Sequence, residues 1–191
     1  ENQRKRRIHL IYLEVTGGGH WLDMVTVSSD NFLPPMTVQT SGTGGTGGVA
    51  AGIRPVDFLS IGGRGTLGLF PTYNFGIAAA EVSLILTTQV LEAYLRAGFG
   101  YAWIGNANYH DPAMSSTTIY GFAFTSSLGL DLYLSDAFSL GAAFDLDVMN
   151  LARQPLTTGS VMGAGMVDLS KDGNAVGLHV GGHVAIALHF L

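Results

Sequence analysis

Apolar side chains recur at every second position through most of this chain, with small or polar residues between them. A period of two puts alternate residues on opposite faces of a β-strand. The last segment is the clearest: Val176, Leu178, Val180, Gly182, Val184, Ile186, Leu188 and Phe190 alternate with Gly177, His179, Gly181, His183, Ala185, Ala187 and His189. The segment before it sets Phe138, Leu140, Ala142, Phe144, Leu146 and Val148 against Ser139, Gly141, Ala143, Asp145 and Asp147. Upstream of that, Tyr120, Phe122, Phe124, Leu128, Leu130, Leu132 and Leu134 oppose Gly121, Ala123, Thr125, Ser127, Gly129, Asp131 and Tyr133. Leu91, Leu95, Phe99, Tyr101 and Trp103 likewise face away from Glu92, Tyr94, Arg96, Gly98 and Gly100.

Four earlier segments complete a set of eight. Residues 75–87 place Ala78, Ala80, Val82, Leu84 and Leu86 opposite Glu81 and Ser83, and Leu59, Ile61, Leu67 and Leu69 oppose Ser60, Arg64 and Thr66. A short glycine-rich strand is expected over 47–54, and a first strand over 8–24, interrupted at Gly17-Gly18-Gly19. The connections alternate in length. Tight ones are predicted at Arg54-Pro55-Val56-Asp57, Thr88-Gln89-Val90 and Ser135-Asp136-Ala137, and long ones at 25–46, 105–117 and 151–174, with a short exception at 70–74. Tight turns at one end and long loops at the other are the up-and-down pattern of an outer-membrane barrel. The expected fold is therefore all-β: an eight-stranded antiparallel up-and-down transmembrane β-barrel over residues 8–191, preceded by a basic N-terminal segment, 1–7.

Composition decides which face is wet. Of the 191 residues, 47% are hydrophobic and only 12% charged, against about 25% charged in a typical soluble domain. A soluble barrel would have to coat its outside with the face that holds Gly, Ala, Ser, Thr and isolated charges. That face makes better sense turned inward, because an eight-stranded barrel has a bore just wide enough for side chains to fill. No stretch reaches the roughly 20 apolar residues of a membrane helix. The 27 glycines argue against a helical protein. With no cysteine, disulfide and thiolate chemistry are excluded, and a formal net charge of −5 gives no support to nucleic-acid binding. No apolar segment of secretory type follows the basic start, and since outer-membrane proteins need an export signal, a mature or trimmed chain is expected.

The inward face carries Glu14, Arg54, Arg64, Glu81, Glu92, Arg96, Asp131, Asp145 and Asp147. Charges in a low-dielectric lumen are tolerable when paired, so a network is expected in which Arg64 and Arg96 bridge the carboxylates. Aromatics gather at two levels. Phe75, Tyr101, Trp103, Tyr120 and Phe122, with Trp21, lie near the long-loop ends, and Phe58, Tyr133, Phe138 and Phe190 near the tight turns. Of these, Trp21, Tyr101, Trp103, Tyr120, Phe138 and Phe190 are the expected interfacial residues, since their depth suits rings with one apolar and one polar end. Phe58 and Tyr133 do not fit the outward facing.

The segment from Ser127 through Leu128-Gly129-Leu130-Asp131-Leu132-Tyr133-Leu134-Ser135-Asp136-Ala137-Phe138 to Gly141 resembles the hairpins of the OmpA-like outer-membrane barrel superfamily. The last strand resembles that family's assembly signal, with Phe190 as the aromatic, displaced by one by Leu191. The resemblance implies a barrel in the outer membrane of a Gram-negative envelope, with long loops extracellular and termini periplasmic. It implies contact with membrane lipid and lipopolysaccharide, and with other envelope proteins.

No motif for catalysis, cofactor or metal stands out. His179 and His183 share a strand face but lie four residues apart, about 13 Å, too far for one ion. His20 and His110 are expected near loop ends without ligand partners. Asp131, Asp145 and Asp147 form an acidic cluster whose expected role is pairing with arginine rather than acid–base work. The run from Gly42 to Gly48 lacks the Lys and helix of a phosphate loop and is expected to be a loop leading into the second strand. Loops 106–118, with Tyr109, His110 and Met114, and 151–174 are candidate recognition surfaces. The expected function is that of a structural or interaction protein with a charge-plugged lumen and no enzymatic activity or cofactor. A narrow porin-like channel is the alternative. A lipid-modifying enzyme ranks last, because no His-x-Ser pair is present.

Overall fold

The computed structural model describes residues 10–28, 32–33, 40–71, 73–88, 90–105, 119–155 and 170–190. Eight strands follow in chain order: β1 (Ile11–Ser28), β2 (Ser41–Val56), β3 (Leu59–Leu69), β4 (Asn74–Thr87), β5 (Leu91–Gly105), β6 (Ile119–Ser135), β7 (Phe138–Arg153) and β8 (Gly173–Phe190). Each pairs antiparallel with its chain neighbours, and β8 pairs with β1 from Ile11↔Phe190 to Ser28↔Ala175, so the sheet closes into a barrel. Closure leaves no unpaired edge, which a strand in lipid requires.

Three segments differ from the sequence expectation. β1 runs unbroken through Gly17, Gly18 and Gly19, and the glycine-rich residues 41–48 belong to β2 rather than to a loop. Glycine weakens an isolated strand, but here it is laddered on both sides: Gly45 pairs with Gly19 and with Leu69. β7 continues to Arg153, past the point where the outward residues stop being apolar. Residues 1–7 and loop 106–118 lie outside the described residues, as does most of 151–174.

The facing of side chains inverts along the barrel axis, and this inversion carries the fold's main information. Through the tight-turn half and the middle, outward positions are large and apolar, among them Leu13, Val82, Leu95, Phe124, Leu128, Phe144 and Ile186, while inward positions are polar or small. Toward the long-loop end the inward positions become apolar instead. Leu22, Met24, Phe75, Ile77, Ile104, Ile119, Met149 and Leu151 fill the bore there, joined by Phe32, Leu33, Phe70 and Tyr73 from the connections. Outward neighbours at that level include Asn150 and Asn174, both exposed. The strands are 11 to 18 residues long, and about 9–11 suffice to cross a bilayer. The surplus therefore projects into water, where a barrel needs an apolar inside and a polar outside. Phe75, expected outside with the interfacial aromatics, is one of these inward residues and is buried.

Trp21, Trp103 and Tyr120 sit where the inversion occurs. Tyr120 stacks on Tyr101 (6.1 Å), and the outward pair Phe99–Phe122 (5.5 Å) lies nearby. At the other rim Phe138 and Phe190 face outward, whereas Tyr133 turns into the lumen. The tight-turn rim is laced by backbone hydrogen bonds between adjacent hairpins and the flanking end strands: Arg54 N–H to Leu10 O, Ile85 N–H to Phe58 O, Tyr133 N–H to Val90 O and His189 N–H to Ala137 O, all 2.8–3.0 Å. Extra residues at the β2–β3 and β6–β7 rims shift the register, and Pro55, which has no N–H to contribute, falls in the first of them.

Candidate functional site in the barrel lumen

The polar lumen is organised by pairs that span the bore. Arg96 of β5 donates two hydrogen bonds to Glu14 of β1, at 3.2 and 3.1 Å. Arg64 of β3 donates to Asp145 of β7 at 3.0 Å. In a ring of eight strands β1 lies opposite β5, and β3 opposite β7. The two pairs are thus cross-braces on different diameters. Glu81 of β4 stands between the two arginines and joins them, with Arg64 Nε at 2.9 Å and Arg96 Nε at 3.7 Å. Thr125 donates a further hydrogen bond to Glu81 at 3.2 Å. All five charged side chains are buried. Their exclusion from water is tolerable because each charge meets an opposite one with directed hydrogen bonds.

Glu92 shares the inner face of β5 with Arg96. It binds Arg54 at 2.8 Å and accepts from the Tyr133 hydroxyl at 2.9 Å and from Thr87 at 3.0 Å. Arg54 also donates to the Asp57 carbonyl, so this group closes the tight-turn rim. Between it and the cross-braces lies a cavity with about 40 Å³ of water-accessible space, lined in part by Tyr12, Ser60, Ser83, Tyr94 and Asp131. At roughly 10–15 Å³ per molecule it has room for a few waters. Tyr94 reaches across it, and the Arg96 guanidinium lies 4.9 Å from the centre of the Tyr94 ring.

Of the acidic cluster, only Asp145 pairs with an arginine among the described residues. Asp147 is held by His179 Nδ1 at 2.8 Å, and Asp131 has no ion-pair partner among the described residues. Height explains the difference. Asp131 is level with Glu92 in the β5–β6 register, below both cross-braces, while Asp147 is level with His179 in the β7–β8 register, above them.

His20, expected near a loop end, lies deep in the lumen. It stacks on His179 with ring centroids 4.6 Å apart, and its Nε2 is 3.9 Å from Asp145 Oδ2. His183 Nδ1 lies 2.5 Å from the same Asp145 oxygen. The expectation considered histidines on one strand, whereas the convergence involves β1, β7 and β8. Ser127 donates to Asp145 at 2.5 Å rather than to a histidine. The Ser–His–Asp order that activates a hydroxyl nucleophile is therefore not formed by this group. Above the histidines, the Phe75 ring lies 4.9 Å from His179 and begins the apolar plug. Arg153 closes the top, donating to the carbonyls of Phe32 (2.7 Å), Gln154 (2.6 Å) and Lys171 (2.7 Å). Tyr73 packs in the same region, and burial pushes its phenol well above the usual range.

A closed eight-stranded antiparallel barrel with an apolar outer band, an aromatic rim and a polar lumen has the fold of the small outer-membrane barrels and resembles those of the OmpA-like type. Solved structures of this kind superpose on nearly the whole chain. Neisserial surface protein A matches with a TM-score of 0.64 at 12% identity, over 94% of this chain and 97% of that one. OprG of Pseudomonas aeruginosa matches with a TM-score of 0.54 at 12% identity, over 97% and 98%. The N-terminal barrel domain of Pseudomonas aeruginosa OprF matches with a TM-score of 0.52 at 14% identity, over 93% and 99%. At such identities the likeness is one of fold. No protein-family model matches the sequence, and no curated protein sequence matches it.

Proposed function

We propose that this chain is an integral outer-membrane protein with a structural or interaction role, an anchor or complex component whose lumen is closed to ions. In this reading the long connections face the outside of the cell and the termini face the periplasm. The apolar wall contacts membrane lipid and lipopolysaccharide, partners among other envelope proteins bind at the loops, and the chain is not an enzyme. The observation that carries the reading is that the bore is filled twice in series. The Glu14–Arg96 and Arg64–Asp145 braces cross its middle, and the apolar cluster around Phe75 and Met149 fills the long-loop end. An ion crossing it would have to break a buried ion pair and then traverse an apolar segment, and each step is costly.

A narrow channel is the second reading, favoured by the cavity beside Asp131 at the tight-turn end. Planar-bilayer recordings of pure, heat-modifiable protein distinguish the two. The closed reading expects a silent baseline, and steady unitary currents would replace it with the channel.

A further inference from the structure

We propose that His20, His183 and Asp145 form a binding site for one divalent transition-metal ion of the zinc class inside the barrel. One donor atom from each lies within 4.8 Å of the other two, and all three residues are buried. Metal–nitrogen and metal–oxygen bonds of about 2.0–2.1 Å in a tetrahedral site set neighbouring donors about 3.3 Å apart. The 2.5 Å and 3.9 Å separations from Asp145 Oδ2 to the two imidazoles bracket that distance, and no donor pair is more than 4.8 Å apart, so adjustments of up to about 1.5 Å would seat an ion. Two imidazoles and one carboxylate suit zinc and its neighbours, whereas calcium and magnesium prefer oxygen alone.

Two further features point the same way. The first is the state of His20. Its side chain is buried, yet neither ring nitrogen has a hydrogen-bond partner among the described residues. A buried imidazole nitrogen without a partner costs about 1–3 kcal/mol, and coordination through Nε2 would remove that cost for one of the two. The second is the room made for the rings. Gly181 stands directly between Asp145 and His20 in the register, and a Cβ there would run into the His20 ring. Gly18 is paired with His183, and a Cβ there would meet the backbone of β8 at the Gly182 carbonyl and the His183 Cα. Gly181 thus lets the His20 imidazole lie over β8 toward the Asp145 carboxylate.

The supporting groups orient that carboxylate. Ser127 and Arg64 both donate to Asp145 Oδ1, which leaves Oδ2 turned to the imidazoles. Such partners fix a ligand's direction. The Arg64 charge also opposes a cation, so an affinity below that of a dedicated structural zinc site is expected.

The test uses the full chain refolded in detergent from denaturant, once with Zn²⁺ and once with EDTA, with heat-modifiability on gels confirming the folded state. Zn²⁺ is counted by mass spectrometry after dialysis, and Co²⁺ is followed by its visible absorption. One ion per folded chain is expected, with His20→Ala and His183→Ala each weakening binding at least tenfold and His189→Gln leaving it unchanged. Gly181→Ala keeps every donor but displaces His20, so it too is expected to weaken binding by about tenfold, in the range seen when groups supporting a ligand are altered. This variant and His20→Ala keep the test decisive if His183→Ala does not fold. Folded wild-type barrel without stoichiometric metal would overturn the proposal. So would binding that survives the His20→Ala/His183→Ala double substitution.

Discussion

Arg96 and Glu14, 82 positions apart in the chain, face each other across a diameter of the barrel through two hydrogen bonds of 3.2 and 3.1 Å. No contact along a single sheet neighbourhood could do this. The pair ties β5 to β1, four strands away in either direction around the ring.

Replacing Arg96 with Leu is expected to destabilise the barrel by about 3–5 kcal/mol, the cost of leaving a buried charge without its partner. Glu14 would lose its partner and Glu81 one of two. Urea titration of the folded fraction measures this. The double substitution Arg96→Leu/Glu14→Leu is expected to recover a large part of the loss, since two apolar groups leave no orphaned charge. An Arg96→Leu midpoint equal to wild type would show the brace to be energetically idle.

Tyr94 and Gly129 predict a steric dependence. They are paired across β5 and β6, and the Tyr94 ring lies over the glycine where a Cβ would stand. Gly129→Val is expected to cost about 1–3 kcal/mol by overpacking. Tyr94→Ala in the same chain would relieve the clash, so the double variant should lose less than the sum of the singles. A thermodynamic cycle from denaturant midpoints reads the coupling.

The apolar plug supplies a third prediction. Phe75→Ala is expected to lower stability by about 3–5 kcal/mol and yet leave planar bilayers silent, because the ion pairs below still fill the bore. Currents from this single variant would mean that the braces do not block ions and that the plug alone does.

Depth is tested with the two tryptophans. Trp21 and Trp103 both stand at the level where the facing inverts. Lipids brominated near the headgroup should quench the protein's fluorescence more strongly than lipids brominated near the chain ends. The reverse order would move the membrane boundary away from these residues.

Arg153 bonds three carbonyls from separate stretches of the chain. Arg153→Met keeps much of the apolar stem and removes the donors, so the carbonyls are left unpaired at about 1–3 kcal/mol each where no water reaches them. A drop in the temperature at which heated samples lose the folded gel migration checks this.

The fold was legible because lipid imposes its rule on every strand. Alternation in β5 to β8 is enough to place Leu95 outside and Arg96 inside without knowing the partners. What was not legible is height. The chain says that Glu92 and Arg96 share a face, but the register makes Glu92 a partner of Arg54 at the rim and Arg96 a partner of Glu14 further in. The same limit hid His20, whose neighbours come from the opposite end of the chain. Phe75 is misplaced for a different reason: an aromatic near a strand end suggests the membrane interface, whereas its phase with Glu81 and Ser83 puts it on the inner face of β4.

The seam between β1 and β8 has a consequence for how the barrel is made. Every other strand pair joins neighbours in the chain, but this one joins its first strand to its last, with Ile11 opposite Phe190. The hairpins can form in any order as local, rapid events, while the seam waits until both ends are present, and such distant contacts are slow to find. Until it closes, β1 and β8 each carry an open row of amide groups that lipid cannot satisfy. The histidine at position 183 and its counterpart at position 20 also meet only at that moment. A chain stalled before closure would be aggregation-prone, and the rate of seam formation, rather than the strength of any brace, would set the yield of folded protein.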